Sequence, residues 1–425
     1  MSARTTPPLL RRVAPDEVRG AGGREIPAEI LEEAARLVDD VATGGAARLR
    51  FHAERLGDVE PGGALVFERA ELVRALESLP GDQRGVLERA AERIRAFAEA
   101  QRGALRPLRV EIPGGEAGHD IVPMESAGCY VPGGRFPLPS SALMTVITAR
   151  AAGVRNVWAA SPRPRPVTLA AAGLAGADGL LAAGGAHGVA ALAFGAGVLP
   201  GSDIVVGPGN AWVTAAKRAI MGRRSIDMLA GPSELLVLAD DSADPETIAA
   251  DLLAQAEHDS DASPMLVSLS AGLCERVEAA LSRRLPELPA GTAAGAALAN
   301  GFACVCGTME EAIAVCDRAA PEHLQVMTRD AERVAARLGH CGAVFIGTAA
   351  AEVVGDYGAG PNHTLPTAGA ARRHGGLSVF NFLRVRTWMR IDDAAAARGL
   401  YEDAAAFARM EGLEAHARAA ERRLV

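Results

Sequence analysis

The sequence predicts an α/β fold with two parallel-sheet units, and three observations predict it. Short apolar runs, turns and Ala-rich helical stretches alternate from about residue 130 to 236, the pattern of strands joined by crossover helices. The same rhythm resumes after Leu235 and continues to Ile346. A chain of 425 residues is also too long for one simple core, so two or more packed units are expected.

The elements follow in order. Residues 27–58 read as helix, because Ile30, Leu31, Ala34, Ala35 and Val38 recur at helical spacing. Residues 82–101 do the same through Val86, Leu87, Ala90, Ile94 and Phe97. Pro107 to Pro113 opens an extended section, and Gly128-Cys129-Tyr130-Val131-Pro132-Gly133-Gly134 ends a strand in a glycine-rich turn. Strands are expected at 156–160, 179–181 and 203–206, with helices at 140–152 and 188–194. Beyond Leu235 come a strand to 238, a helix over 248–258, and strands near 265–269, 302–306 and 343–346. After Val379-Phe380 an Arg-containing stretch leads to an Ala-rich helical pattern over about 397–423. Pattern alone allows that helix to pack on a partner chain or on its own subunit. Residues 161–166, polar and rich in Pro, read as a surface connection.

Composition narrows the function. The net charge of -8 and the scattered basic residues argue against a nucleic-acid scaffold. Residues 179–201 have no formal charge beyond His187, but seven glycines and Pro200 make them a buried strand and helix rather than a membrane span. The six cysteines form no CxxC pair, and the N-terminus shows no apolar export segment, so a cytoplasmic location is expected.

Several clusters can carry chemistry. Asp203 to Val206, then Gly207-Pro208-Gly209-Asn210, reads as strand, tight turn and helix start, where free N–H groups attract anions. Trp212 stands at the sixth position of a GxGxxG, so that fingerprint fails and a plain βα turn remains open. Gly184-Gly185-Ala186-His187 is a similar turn. Gln255 and His258 share one face of a helix; His is a zinc donor, Gln a poor one, and an ordinary helical His stays open. Glu322-His323 follows Pro321 at the head of an apolar strand, where a carboxylate and an imidazole can share proton transfer, or else cap and face solvent. The glycines of 355–360 bend the chain around Asp356 and His363. Glu411 and His416 lie about 140° apart on a helix, so both can only border one site near a helix end. Neither a G-x-S-x-G elbow nor a Walker A loop is present.

At these segments the chain resembles the histidinol dehydrogenase family. Tyr130 to Gly134, Gly207 to Asn210, Ala230-Gly231-Pro232-Ser233-Glu234, Gln255 to His258, Pro321 to His323, Gly355-Asp356-Tyr357 with Asn362-His363, and Glu411 with His416 stand in the family's order over nearly the whole length. The resemblance implies oxidation of L-histidinol to L-histidine, in histidine biosynthesis, through an aldehyde-level intermediate with two NAD used in turn. It implies one zinc per subunit held by Gln255, His258, Asp356 and His416. His323 would be the base for the alcohol proton and Glu322 would activate water. Ser233, Glu411, His323 and the zinc ligands would contact substrate, and Tyr130, Asn210 and the residue at His187 would contact NAD. His187 replaces the family's glutamine there, Asn381 stands where an acidic residue is expected, and Arg372-Arg373-His374 is unusual.

The full expectation is two Rossmann-like parallel-sheet units with helical N- and C-terminal segments. Residues 1–25 form an arm, 26–129 with 237–378 the first α/β domain, 130–236 an inserted second one, and 379–425 a helical dimerisation tail. The resemblance implies a homodimer whose tails reach the partner's sites, and no nucleic-acid or membrane partner is expected. The alternatives are a zinc/NAD dehydrogenase of the same fold acting on another small polyol, such as a sulfonated diol, and, more distantly, a metal-binding module.

Overall fold

The computed structural model describes residues 8–19, 26–133, 136–289 and 291–424, so Gly134 and much of the N-terminal arm lie outside the described residues. The described residues start with strand β1 (Arg11–Val13), then α1 (Ala28–Arg55), β2 (Val66–Glu68), α2 (Arg69–Glu77) and α3 (Gly81–Ala104). A hairpin follows, β3 (Leu108–Ile112) and β4 (Gly115–Pro123). Next come β5 (Ser126–Tyr130), α4 (Pro139–Ala152), β6 (Asn156–Ala160), α5 (Pro166–Ala175), β7 (Gly179–Leu181), α6 (Gly185–Phe194), β8 (Ile204–Val206), α7 (Ala211–Ile220) and β9 (Ser225–Ile226). The third stretch holds β10 (Glu234–Ala239), α8 (Pro245–Glu257), β11 (Ser263–Ser268), α9 (Ala271–Arg284), α10 (Ala294–Asn300), β12 (Phe302–Val305), α11 (Met309–Ala319), β13 (His323–Met327), α12 (Ala331–Ala335), β14 (Ala343–Ile346) and α13 (Glu352–Asp356). The tail is β15 (Leu383–Ile391), α14 (Arg398–Met410) and α15 (Glu414–Glu421).

Two six-stranded sheets carry the fold, as the alternating pattern predicts. One runs β1-β12-β11-β10-β13-β14, all parallel, and the other runs β2-β7-β6-β5-β8-β9, parallel except for β2. Both bury both faces. In β10, Leu235, Val237 and Ala239 join one core while Leu236 and Leu238 join another. In the second sheet Ala127 and Cys129 point one way and Tyr130 and Leu181 the other.

The expected domain boundaries need correction. Helices α1 to α3 pack on α6 and α7, α5, and α4 respectively, and β2 pairs with β7. Residues 28–104 and strand β5 therefore pack chiefly with the 126–226 sheet, α3 also meeting the 237–378 segment where Arg93 Nε donates to the Gly358 carbonyl at 2.7 Å. The N-terminal arm joins the other sheet, since β1 pairs with β12. An apolar stripe shows that a helix packs, but its spacing does not say on which sheet. The Arg-containing stretch is β15, which pairs along its length with β4.

Two smaller expectations also change. The tail pattern is two helices, because Gly412 adopts φ +77 between them, and a left-handed residue ends a helix. Ser161 and Pro162 are buried, so only the later part of 161–166 is a surface turn. Among the described residues no helix is long and apolar enough to cross a membrane; residues 179–201 supply β7 and α6.

Candidate active site

The first cluster gathers at the amino ends of β10 and β13, neighbouring strands in which Leu235 lies opposite His323. Glu234 and Glu322 cross-link the two strand starts. Glu322 Oε2 accepts the Glu234 N–H at 2.9 Å, and Glu234 Oε2 accepts the Glu322 N–H at 3.3 Å. Ser233 Oγ also donates to Glu322 Oε2, at 2.6 Å. Burial pushes Glu322 up to about 7. Burial, and then the nearby Glu322 charge, pushes Glu234 up to about 8. Neither is the exposed cap that strand-head position alone allows.

His323 is equally buried, and one contact fixes its tautomer. Its Nδ1 lies 2.9 Å from the Glu234 carbonyl oxygen, which can only accept, so Nδ1 carries the proton. In the neutral ring Nε2 is then a bare lone pair. It faces Glu352 Oε1 at 3.8 Å and Asp356 Oδ1 at 3.9 Å. Burial lowers the His323 pKa, against the opposing charge of Asp356, which favours that neutral, proton-accepting form.

Helix α8 brings the next residues. Asp244 caps it by accepting from Glu246 N and Thr247 N, and Pro245 opens its first turn. Gln255 and His258 sit at its far end. His258 Nε2 is 3.5 Å from Asp356 Oδ2. Gln255 is fully buried, with neither its amide oxygen nor its nitrogen partnered. Such a group costs about 1–3 kcal/mol. Glu352 is also buried, and its acid is pushed up to about 9 by burial, then by the charge of Asp356 and a hydrogen bond to it. Ligand atoms of His258, Glu352 and Asp356 all lie within 4.8 Å of one another. His363 braces Asp356 from behind, its Nδ1 donating to the Asp356 carbonyl at 3.1 Å.

Glu352 escaped the sequence reading. A signal was there: it stands one helical turn before Asp356, and Ala349 to Ala351, Val353 and Val354 surround it.

Glu411 and His416 do not meet this cluster within one chain. They border a cavity of about 490 Å³ on the tail, beside Phe407 and Leu413. Helices α14 and α15 pack chiefly on each other. Phe407 and Met410 are 61% and 76% exposed, which leaves an apolar face open next to His416.

The residues of the second cluster lie on the other sheet. From β5 the chain moves through β6 and β7 to one side and then returns to β8 on the other. The carboxyl ends of β5 and β8 therefore flank a switch point, where open α/β sheets bind ligands. Tyr130 ends β5 and Gly207 follows β8. Gly207 has φ +118, and a Cβ there would sit 2.1 Å from the Tyr130 carbonyl oxygen. Asn210 caps α7 by accepting from Trp212 N and Val213 N and is itself exposed. Tyr130 Oη accepts the Gly185 N–H at 3.0 Å, which ties in the second glycine turn. His187 sits differently from a cofactor contact. It is 2% exposed, its Nε2 lies 2.7 Å from Asp58 Oδ2, and its Nδ1 is buried without a partner.

The family model described as histidinol dehydrogenase matches residues 23–424. A histidinol dehydrogenase of Thermus thermophilus is 49% identical over 346 residues, 81% of this chain and 83% of that protein. A protein of Ruegeria pomeroyi named a histidinol dehydrogenase homolog is 44% identical over 389 residues, 89% of each. The crystal structure of histidinol dehydrogenase from Elizabethkingia anophelis superposes with a TM-score of 0.91 at 28% identity, covering 98% of both chains. The chain belongs to the histidinol dehydrogenase family, a family of oxidoreductases.

Proposed function

We propose that the chain oxidises L-histidinol to L-histidine in two successive two-electron steps, using one zinc ion per subunit and two NAD, as a step of histidine biosynthesis in the cytoplasm. The observation that carries this reading is the bare Nε2 of His323, aimed at the His258–Glu352–Asp356 group.

The donor set fits a divalent cation. Gln255 holds a buried amide oxygen that nothing in the protein satisfies, and His258 and Asp356 supply nitrogen and oxygen beside it, which suits zinc. We assign the ion to Gln255, His258, Asp356 and a His416 from the partner chain of a homodimer. The tail position of His416 and the open apolar face around Phe407 support that sharing. The switch-point turn of Tyr130, Gly207 and Asn210 suits a dinucleotide, because open α/β sheets bind ligands at such a point and Gly207 lets the turn pass tightly against the Tyr130 carbonyl.

When bound, zinc would supply a template for the substrate's imidazole and amine, and NAD would accept hydride. The chain's own residues do the rest. His323 Nε2 takes the alcohol proton, while its Nδ1–H stays on Glu234. Glu322, held by Ser233 and the Glu234 N–H, is the base that activates water for the second oxidation. Ser233 and Glu411 contact the substrate. His187 acts on NAD through the Gly184 turn: Asp58 Oδ2 faces His187 Nε2 and also accepts the Gly184 N–H, at 2.7 Å each.

The test is a steady-state assay of zinc-loaded protein with histidinol and NAD. Two NADH per histidine are expected. A second reading keeps the apparatus and changes the alcohol; a 44% identical relative named only as a homolog favours considering it. No turnover of histidinol, with turnover of another small polyol such as a sulfonated diol, would establish that reading and overturn the first.

A further inference from the structure

Lys217 and Asp227 form an ion pair with both side chains almost wholly buried, 3% and 0% exposed, and no step above uses it. Its geometry centres on one residue of the cofactor turn. Lys217 Nζ donates to the Gly207 carbonyl oxygen and to Asp227 Oδ1, each at 2.5 Å. Asp227 Oδ2 accepts the Gly207 N–H at 2.8 Å. The pair thus takes both backbone polar groups of Gly207, the residue already pressed against the Tyr130 carbonyl. Lys217 lies two turns along α7, the helix that this turn begins, so the helix reaches back and grips its own entry.

The other end of the pair leads to the substrate side. Asp227 Oδ1 also accepts the Met228 N–H at 2.7 Å. From there the chain runs to Ser233, held on the way by Thr214 Oγ1 of α7, which donates to the Ala230 carbonyl at 2.8 Å. The Gly231 N–H meets Thr367 Oγ1 at 2.5 Å, and Ser233 meets Glu322. Helix α7 therefore fixes the cofactor turn and the segment 227–233 together. A buried ion pair adds little stability over apolar residues of the same shape, so its use lies in what it fixes.

We propose that Lys217 and Asp227 are a positioning pair for the dinucleotide, setting the Gly207–Asn210 turn at the switch point. This rests on the NAD reading above. The test uses full-length, zinc-loaded protein and two binding readouts: NADH by fluorescence titration and histidinol by calorimetry without cofactor. The double variant Lys217→Met/Asp227→Asn removes both charges and keeps the side-chain shapes and one accepting oxygen. It is expected to bind NADH at least about tenfold more weakly and histidinol within about threefold of wild type. Asp227→Asn alone leaves Lys217 an oxygen to donate to, and it covers the case in which the double variant does not fold; a smaller loss confined to NADH is expected. NADH affinity equal to wild type in a folded variant overturns the proposal. So does an equal loss for both ligands with a lowered melting temperature, which marks a purely structural pair. Wild-type protein that binds histidinol but no NADH overturns the cofactor reading, and the proposal with it.

Discussion

His323 Nδ1 donates to the carbonyl oxygen of Glu234 at 2.9 Å, and this single bond sets which ring nitrogen is free. The proton acceptor becomes Nε2, turned toward Asp356 and Glu352. His323→Gln should therefore lower kcat by roughly 10²–10⁴, the range for loss of a general base. Zinc per subunit should stay at the wild-type value, because His323 is not among the assigned ligands. Metal analysis beside steady-state kinetics checks this; an unchanged kcat would remove His323 from the chemistry.

Gln255 is buried with both amide atoms unpartnered, so it burdens the metal-free protein. Gln255→Leu should make that form more stable by about 1–3 kcal/mol, since an apolar side chain of similar size leaves nothing unsatisfied. The same change should weaken zinc at least about tenfold, for the loss of one ligand. Urea unfolding of chelator-treated protein reads the first effect and competition with a chromophoric chelator the second. A metal-free variant less stable than wild type would show that Gln255 serves packing.

Glu234 gives a pH prediction with a definite sign. Its folded pKa of about 8 stands above the ordinary 4.5, so the folded state holds the proton more tightly than the unfolded state. Stability from this group is complete below about 4.5 and is lost as pH rises through 8. Glu234→Gln does not titrate and keeps an oxygen for the Ala368 N–H that Glu234 Oε1 accepts. Between pH 6 and pH 9, roughly the span across that folded pKa, the melting temperature of metal-free wild type should fall more than that of the variant. Parallel curves would mean that Glu234 does not titrate in this range.

Much of this was legible in the sequence, and the gaps have physical causes. Strands such as 156–160 and 179–181 were readable because buried parallel strands are short apolar runs between turns. The membership of α1 to α3 was not, since amphipathic spacing names a buried face and no partner. Glu322 and His323 were visible as a pair, but the Glu234 contacts that set their protonation come from β10, 88 and 89 residues away in the chain. The failed GxGxxG at Trp212 could not show that the turn is instead built on Gly207, whose backbone groups a buried ion pair takes up. His187 read as a cofactor contact from its position in the motif, while the Asp58 carboxylate that engages its ring lies 129 residues earlier.

Glu411 and His416 leave a question that mixed dimers answer. Within one chain they lie on the tail, apart from the His258–Asp356 pair. Suppose each site takes its tail residues from the partner. Glu322→Ala and His416→Ala homodimers are then both inactive, yet a hybrid has one intact site, built from the Glu322 of one chain and the His416 of the other. Its second site carries both defects. Random reassociation makes half the dimers hybrid with half their sites intact, so about one quarter of wild-type activity should return. If instead the tail folds onto its own chain, every site in every dimer carries one defect and no activity returns. Denaturing and refolding the two variants together, with hybrids confirmed by differently tagged subunits, separates these outcomes, and inactive hybrids would refute the shared site.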